Sequence, residues 1–253
     1  MKLRHASLML IGLLGAVPAG AADLYQKTNA SPNMSAAIYN WTGWYVGADA
    51  GFAWGHATVS DRNGFNPNGS YSYSPSGGVF NLNTQYNYQS GMLVVGLGAE
   101  LGELSVSGNQ QFPGFSGIAG LAGDSIDSSR TDFYGALTGR IGFTPFDRLL
   151  LYGKGGFAFA NVKNSFTDTN PLSLANPRGP FLSGTSVSNL QPGWTLGAGA
   201  EYAFTDRWIG RLEYDHYDFG RQTNTASNIN GSYSFRHAVT DDTLRIGISY
   251  KLN

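Results

Sequence analysis

The chain has no cysteine among its 253 residues. That excludes a disulfide framework, a thiolate metal site and a cysteine nucleophile. Charge is also scarce: Asp, Glu, Lys and Arg make up 13% of the residues, against roughly 25% in soluble domains. Beyond the opening segment no apolar run approaches the roughly 20 residues of a membrane-spanning helix. The 16 basic side chains are balanced by 17 acidic ones, which leaves no electrostatic footprint for nucleic acid. Histidine is limited to His5, His56, His216 and His237. None of them accompanies a nucleophile motif such as G-x-S-x-G. The sequence therefore predicts no enzyme, no cofactor and no metal site, and the three histidines beyond His5 are expected to be solvated.

The opening segment is of a different kind. Lys2, Arg4 and His5 precede an apolar run from Ala6 to Val17, and Ala19, Gly20, Ala21 and Ala22 follow. This is the pattern of a secretory signal peptide over residues 1–22, cleaved near Ala21 or Ala22. Without Lys2 and Arg4, 14 basic side chains face 17 acidic ones, a net charge near −3. Residues 23–40 lack periodicity and are expected to form a flexible leader, with a single domain over 41–253.

That domain is rich in glycine (35 residues) and aromatics (13%). Its dominant pattern is strict alternation. In "WTGWYVGADAGFAWG" the residues Trp44, Val46, Ala48, Ala50, Phe52 and Trp54 are apolar, while Gly43, Tyr45, Gly47, Asp49, Gly51 and Ala53 are small or polar. Period 2 means a strand with one greasy face. The split recurs from Phe80 to Gln89, Leu93 to Leu101, Phe133 to Phe143, Leu149 to Phe159, Trp194 to Phe204, Trp208 to Asp215 and Leu244 to Leu252. Eight strands result. Short turns alternate with polar Gly/Ser/Asn/Pro-rich segments near 56–78, 105–130, 163–191 and 220–240, which read as long loops. Alternating segments, short turns on one side and longer loops on the other are the signature of an antiparallel up-and-down transmembrane β-barrel. The location implied is the outer membrane, with outer-membrane lipid and the assembly machinery as partners and no ligand identifiable. A soluble barrel with its greasy face inward is the competing reading. Its solvated face would favour Lys, Thr and Glu, whereas here the polar face is largely glycine.

An eight-stranded barrel has an interior just wide enough for side chains to fill. The polar faces place Asp49, Glu100, Arg140, Lys154, Glu201, Arg211, Glu213, Arg245 and Lys251 inside. These nearly balanced charges predict a plugging ion-pair network, because desolvated charges need partners. The alternatives are a small-solute pore through the bore, or a receptor or adhesin acting through the loops.

Seven stretches, "WTGWYVGADAGFAWG", "VVGLGAEL", "TGRIGF", "LYGKGGFAFA", "GWTLGAGAEYAF", "EYDHYDFG" and "LRIGISYKL", resemble in this order the small outer-membrane β-barrel proteins of alphaproteobacteria. This outer-membrane immunogenic, porin-like family is distantly OmpA-type. The resemblance spans about Trp41 to Leu252. It implies an abundant, surface-exposed and mostly structural barrel in a Gram-negative outer membrane; haemin binding or porin-like activity is associated with some members. Such barrels usually end in an aromatic residue, whereas this sequence ends "SYKLN", with Leu252 and then Asn253 last and Tyr250 the nearest aromatic.

Overall fold

The computed structural model describes residues 39–62, 70–112, 125–168, 185–228 and 231–253. The expected signal peptide and all of the leader except Tyr39 and Asn40 lie outside the described residues. The strands are β1 (Gly43–Asp61), β2 (Ser70–Tyr73), β3 (Ser76–Ser90), β4 (Leu93–Phe112), β5 (Ser125–Phe146), β6 (Leu149–Asp168), β7 (Thr185–Ala203), β8 (Trp208–Asn228) and β9 (Gly231–Lys251). Neighbours pair antiparallel around one sheet, and β9 returns to β1 from Tyr45↔Lys251 to Asp61↔Phe235. The sheet is thus an antiparallel ring, an all-β barrel.

Nine strands make eight staves. β2 pairs with the far half of β1 (Ala57↔Tyr73) and β3 with the near half (Trp54↔Ser76). The interruption falls at Ser74 and Pro75. Proline has no amide hydrogen to give to a ladder, while its carbonyl still accepts from Gly55 N at 2.8 Å.

The alternation sorts the faces as the membrane reading requires. Phe52, Leu97 and Ile246 face outward with 76%, 73% and 69% exposure, whereas Asp49 and Arg245 are 1% and 0% exposed. The greasy face is outside and the polar face inside, the reverse of a soluble barrel. Aromatic pairs mark both edges of the belt. Trp44–Tyr86 and Trp208–Tyr250 stand near the short turns, Trp54–Tyr214 and Phe133–Phe159 at the other edge. From Trp44 to Trp54 a tilted strand climbs about 25 Å, the height of the apolar band of such barrels. By the same rule the short turns are periplasmic.

The long loops of the sequence reading are largely strand. β1 runs on to Asp61, β4 to Phe112, β6 to Asp168 and β8 to Asn228, and the partner strands begin at Ser70, Ser125, Thr185 and Gly231. Above the lipid belt the outer face meets water. Ser, Thr and Asn serve on that side, so hydrophobic alternation fades while the backbone ladder continues. One seam is an exception: the β7–β8 ladder stops at Trp194↔Asp218, beside Pro192 and a bulge between Asp218 and Arg221.

Candidate functional site: the barrel interior

The bore is filled in three tiers. At the periplasmic end Tyr39, Trp41, Tyr45, Val94, Leu150, Tyr152, Ala203 and Ile209 form an apolar plug. Tyr39 belongs to it although the sequence reading began the barrel at Trp41. Its amide donates to Asp147 Oδ1 at 2.7 Å and its hydroxyl to the Asp206 carbonyl at 3.2 Å, so two periplasmic turns hold it. At the outer end Val59, Val79, Leu104, Val106, Tyr217, Phe219, Phe235 and their neighbours make a second apolar tier, with Phe166 stacked on Phe235 at 5.0 Å.

Between the two plugs lies the charge network. Glu201 is fully buried and accepts a two-pronged contact from Arg140, Nη1 to Oε1 at 2.9 Å and Nη2 to Oε2 at 3.1 Å. Arg211 reaches the same carboxylate through Nε at 2.9 Å, and Asp49 through Nη1 at 3.3 Å. Nearby, Lys154 Nζ lies 3.2 Å from Glu100, 2.9 Å from Glu213 and 3.1 Å from Asp215. Arg245 serves the same three carboxylates, at 3.3 Å from Glu100, 2.6 Å from Glu213 and in direct contact with Asp215. Forked guanidinium–carboxylate contacts are short and directional. Neutral donors supply further bonds: Tyr217 OH to Glu100 at 2.6 Å, Tyr152 OH to Glu213, Asn83 to Asp49 at 2.7 Å and Gln85 to Glu201 at 3.3 Å. The void among these side chains is about 20 Å³, room for about one water.

Of the nine positions read from the sequence, eight meet here: Asp49, Glu100, Arg140, Lys154, Glu201, Arg211, Glu213 and Arg245. Lys251 does not. Alternation assigns a face but not a height, and Lys251 pairs with Tyr45 at the periplasmic mouth. Its ammonium donates to the Asn40 carbonyl at 2.5 Å and lies 5.3 Å from the Tyr39 ring. Asp215 takes part although the sequence reading left it out of the network. It lies on the same face of β8 as Arg211 and Glu213, so the signal was present. With Asp215 in and Lys251 out, five acids meet four bases.

Two glycines of the inner face have a specific task. A methyl group at Gly247 would collide with the Asp49 carboxylate, and one at Gly197 with that of Asp215. Each glycine is the berth for a charged side chain of the neighbouring strand, which is the close approach that glycine permits.

The three described histidines do not assemble. His56 is exposed on β1. His216 lies on the outer face, its Nδ1 2.9 Å from Asp242 Oδ1. His237, expected to be solvated, is instead 2% exposed inside the outer bore, and neither ring nitrogen has a hydrogen-bond partner among the described residues. It pairs with Val59, above the Trp54 level, and burial lowers its pKa to about 4. Asp127, in the same outer tier, is pushed up to about 6 by burial, against a hydrogen bond from Tyr71 OH. Tyr73 OH, Ser129, Asn164 and Gln222 continue as a relay with successive contacts of 2.6 Å.

A closed antiparallel ring with an apolar exterior and a charged, desolvated interior defines an integral outer-membrane β-barrel. Residues 10–251 match the family described as "Outer membrane protein beta-barrel domain", and the chain belongs to that family. It is 28% identical over 256 residues to the 31 kDa outer-membrane immunogenic protein of Brucella melitensis, covering 98% of this chain and all of that one. It is 29% identical over 218 residues to the 22 kDa outer membrane protein of Rhizobium leguminosarum bv. viciae, covering 84% and 78%. The crystal structure of the outer membrane protein OprG of Pseudomonas aeruginosa matches 85% of this chain and 98% of its own with a TM-score of 0.52 at 14% identity, a likeness of fold alone. The protein resides in the cell outer membrane, in contact with its lipid.

Proposed function

We propose that this barrel is a non-conducting, non-catalytic component of the outer membrane that ties the envelope together and presents its outer staves at the cell surface. The observation that carries the reading is the tiered bore, in which paired charges are sealed between two apolar plugs. A pore needs a continuous wet path. An acid–base site needs a carboxylate that meets substrate, and here each carboxylate of the network is turned toward a buried cation. The relatives named as outer-membrane immunogenic proteins support surface presentation. The β9 strand, with Tyr250 facing outward against Trp208, is the segment we assign to recognition by the assembly machinery.

Planar-bilayer recording tests the closed bore. The refolded full chain is expected to show no unitary conductance above the bare membrane. Reproducible channels that widen in Arg140→Ala or Glu201→Ala would overturn the reading and favour a small-solute pore. Protease shaving of intact cells is expected to spare the periplasmic turns that hold Arg148 and Asp206, whereas cleavage at those turns would reverse the assigned orientation.

A further inference from the structure

The described chain contains nine arginines, and six have partners. Arg140, Arg211 and Arg245 belong to the bore network. Arg130 pairs with Asp132, Arg148 with Asp206, and Arg207 donates to Tyr250 OH at 2.8 Å. The remaining three, Arg62, Arg221 and Arg236, form no ion pair with any described residue, and they sit together on the outer surface. Ser60 on β1 is paired with Arg236 on β9. Ala238 on β9 lies between Thr58 on β1 and Arg221 on β8. Arg62 donates its backbone N–H to the Ser234 carbonyl at 2.9 Å, one step further out. Like charges on neighbouring strands repel and destabilise a sheet. Three guanidiniums around one hollow, none of them ion-paired with a described residue, leave their charge available to an external anion.

The surface between them is concave. Two joined hollows of about 620 and 400 Å³ share Thr58, Arg221 and Ala238 as floor and wall. The floor is low because Ala238 is small and because the β8 bulge inserts Gly220, with φ +72°. That bulge carries Arg221 to the outer face. Asp218, the acid of the lower hollow, already accepts the Gly220 amide at 2.8 Å. The hydroxyls of Thr58, Ser60 and Thr240 line the rest.

Depth decides what kind of anion fits. The lower hollow begins on β1 at His56, two residues beyond Trp54, whose ring meets Tyr214 at the outer edge of the aromatic belt. Thr58, Ser60 and Arg62 stand four to eight residues further along β1, roughly 10–20 Å above that edge. Acyl chains end below this level, and the sugars of a lipid headgroup occupy it. Guanidinium forks match phosphate oxygens in pairs, and hydroxyl-bearing walls suit sugar hydroxyls.

We propose that the Arg62–Arg221–Arg236 groove binds the phosphorylated sugar headgroup of a glycolipid anchored in the outer leaflet. The phosphate groups sit between the arginines, and the acyl chains descend along the Trp54–Tyr214 face. This site is separate from the bore, and a conducting barrel would leave it intact.

The test uses the refolded full chain in detergent micelles, with diphosphoryl lipid A and its enzymatically dephosphorylated form as lipid probes and inorganic pyrophosphate as the soluble probe. Native mass spectrometry reads retained lipid. The wild type is expected to retain the diphosphoryl form, and Arg62→Ala/Arg221→Ala/Arg236→Ala to bind it about a hundredfold more weakly, at roughly fivefold for each arginine near a charged headgroup. A periplasmic-end control, Arg148→Ala/Arg207→Ala, is expected to bind as the wild type does. The heat-modifiable gel shift verifies that each variant is folded, and the Arg→Lys triple variant supplies a folded form with the charge kept, expected to recover part of the affinity. Equal retention by the wild type and the alanine triple variant would overturn the proposal, as would equal retention of the dephosphorylated lipid. Pyrophosphate binding as tight as that of the lipid would replace the lipid headgroup with a soluble anion and overturn the assignment.

Discussion

Inside the lipid belt and above it, the same barrel solves the problem of buried polarity in two ways. At the level of the belt, Glu201 is held by two guanidiniums, and Glu100, Glu213 and Asp215 share Lys154 and Arg245. Above the belt the bore is mostly apolar, its polar groups joined by neutral hydrogen bonds from Tyr71 to Asp127 and along Tyr73, Ser129, Asn164 and Gln222. Among the described residues, neither His237 nor Asn224 has a side-chain hydrogen-bond partner and Asp127 uses one of its two carboxylate oxygens, whereas each charged group of the middle tier has at least one partner although single atoms such as Asp49 Oδ1 and Arg245 Nε have none. Charged groups next to hydrocarbon need close pairing, because an unpaired charge there is costly. The outer tier, surrounded by water on its far face, tolerates loose ends. The comparison implies that the middle is the mechanical lock of the barrel and that the outer tier yields first.

The strongest way to break this contrast is Glu201→Ala. It leaves Arg140 and Arg211 facing each other across a desolvated gap. A loss of about 3–5 kcal/mol is expected, read as a lowered urea midpoint of the heat-modifiable form. A companion variant, Arg140→Met/Glu201→Leu, removes one cation together with the shared carboxylate and is expected to recover part of that loss. A double variant as unstable as Glu201→Ala would show that packing rather than charge compensation holds the middle.

Acid addresses the outer tier. His237 is held neutral by burial with a pKa near 4, while the unfolded side chain titrates near 6.5. Between these values the unfolded state binds the extra proton, so stability falls as pH drops from about 6.5 to about 4, by up to roughly 3 kcal/mol. Asp127 works in the opposite direction: its raised pKa, about 6, makes folding more favourable as pH falls toward 4, which partly offsets the histidine. Protection of the outer β8 and β9 amides, taken relative to the intrinsic exchange rate at each pH, is expected to fall as pH drops through this window and to lose most of that fall in His237→Leu. Exchange that speeds up first in β1 near Asp49 would reverse the assigned order of opening.

Leu104→Ala in the outer plug is expected to cost about 2–4 kcal/mol from the cavity it leaves, less than Glu201→Ala and comparable with the acid effect, with lower values if the surroundings collapse into the space. The smallest belongs to Arg148→Ala at the periplasmic turn. Its partner Asp206 is exposed, and such a surface pair contributes at most about 1 kcal/mol. Denaturant midpoints of the two variants rank them directly.

Much of the architecture was legible in the chain because the relevant signal is local. Trp44, Val46, Phe52 and Trp54 alternate with Tyr45, Gly47, Asp49 and Gly51, and that pleat assigns each to lipid or to bore whatever the rest of the protein does. The outer staves were read as loops because water lies on their far side, so Thr58, Ser60 and Ser165 carry no greasy face to betray a strand. Lys251 and Asp215 mark the limit at the site. Both lie on the inner face, but one is at the mouth and the other at the centre of the network, and pleating cannot tell the two apart.

What the sequence determined by itself was the side of the sheet on which each residue lies and, through a lipid-compatible exterior, where the protein resides. What only the tertiary structure decided was which charges meet. Asp49 and Arg211 are 162 positions apart, and they touch because the closed sheet staggers every strand against its neighbour. Ring closure sets that stagger, so height in the bore, and with it every ion pair and the isolation of Arg62, Arg221 and Arg236, belongs to the barrel as a whole.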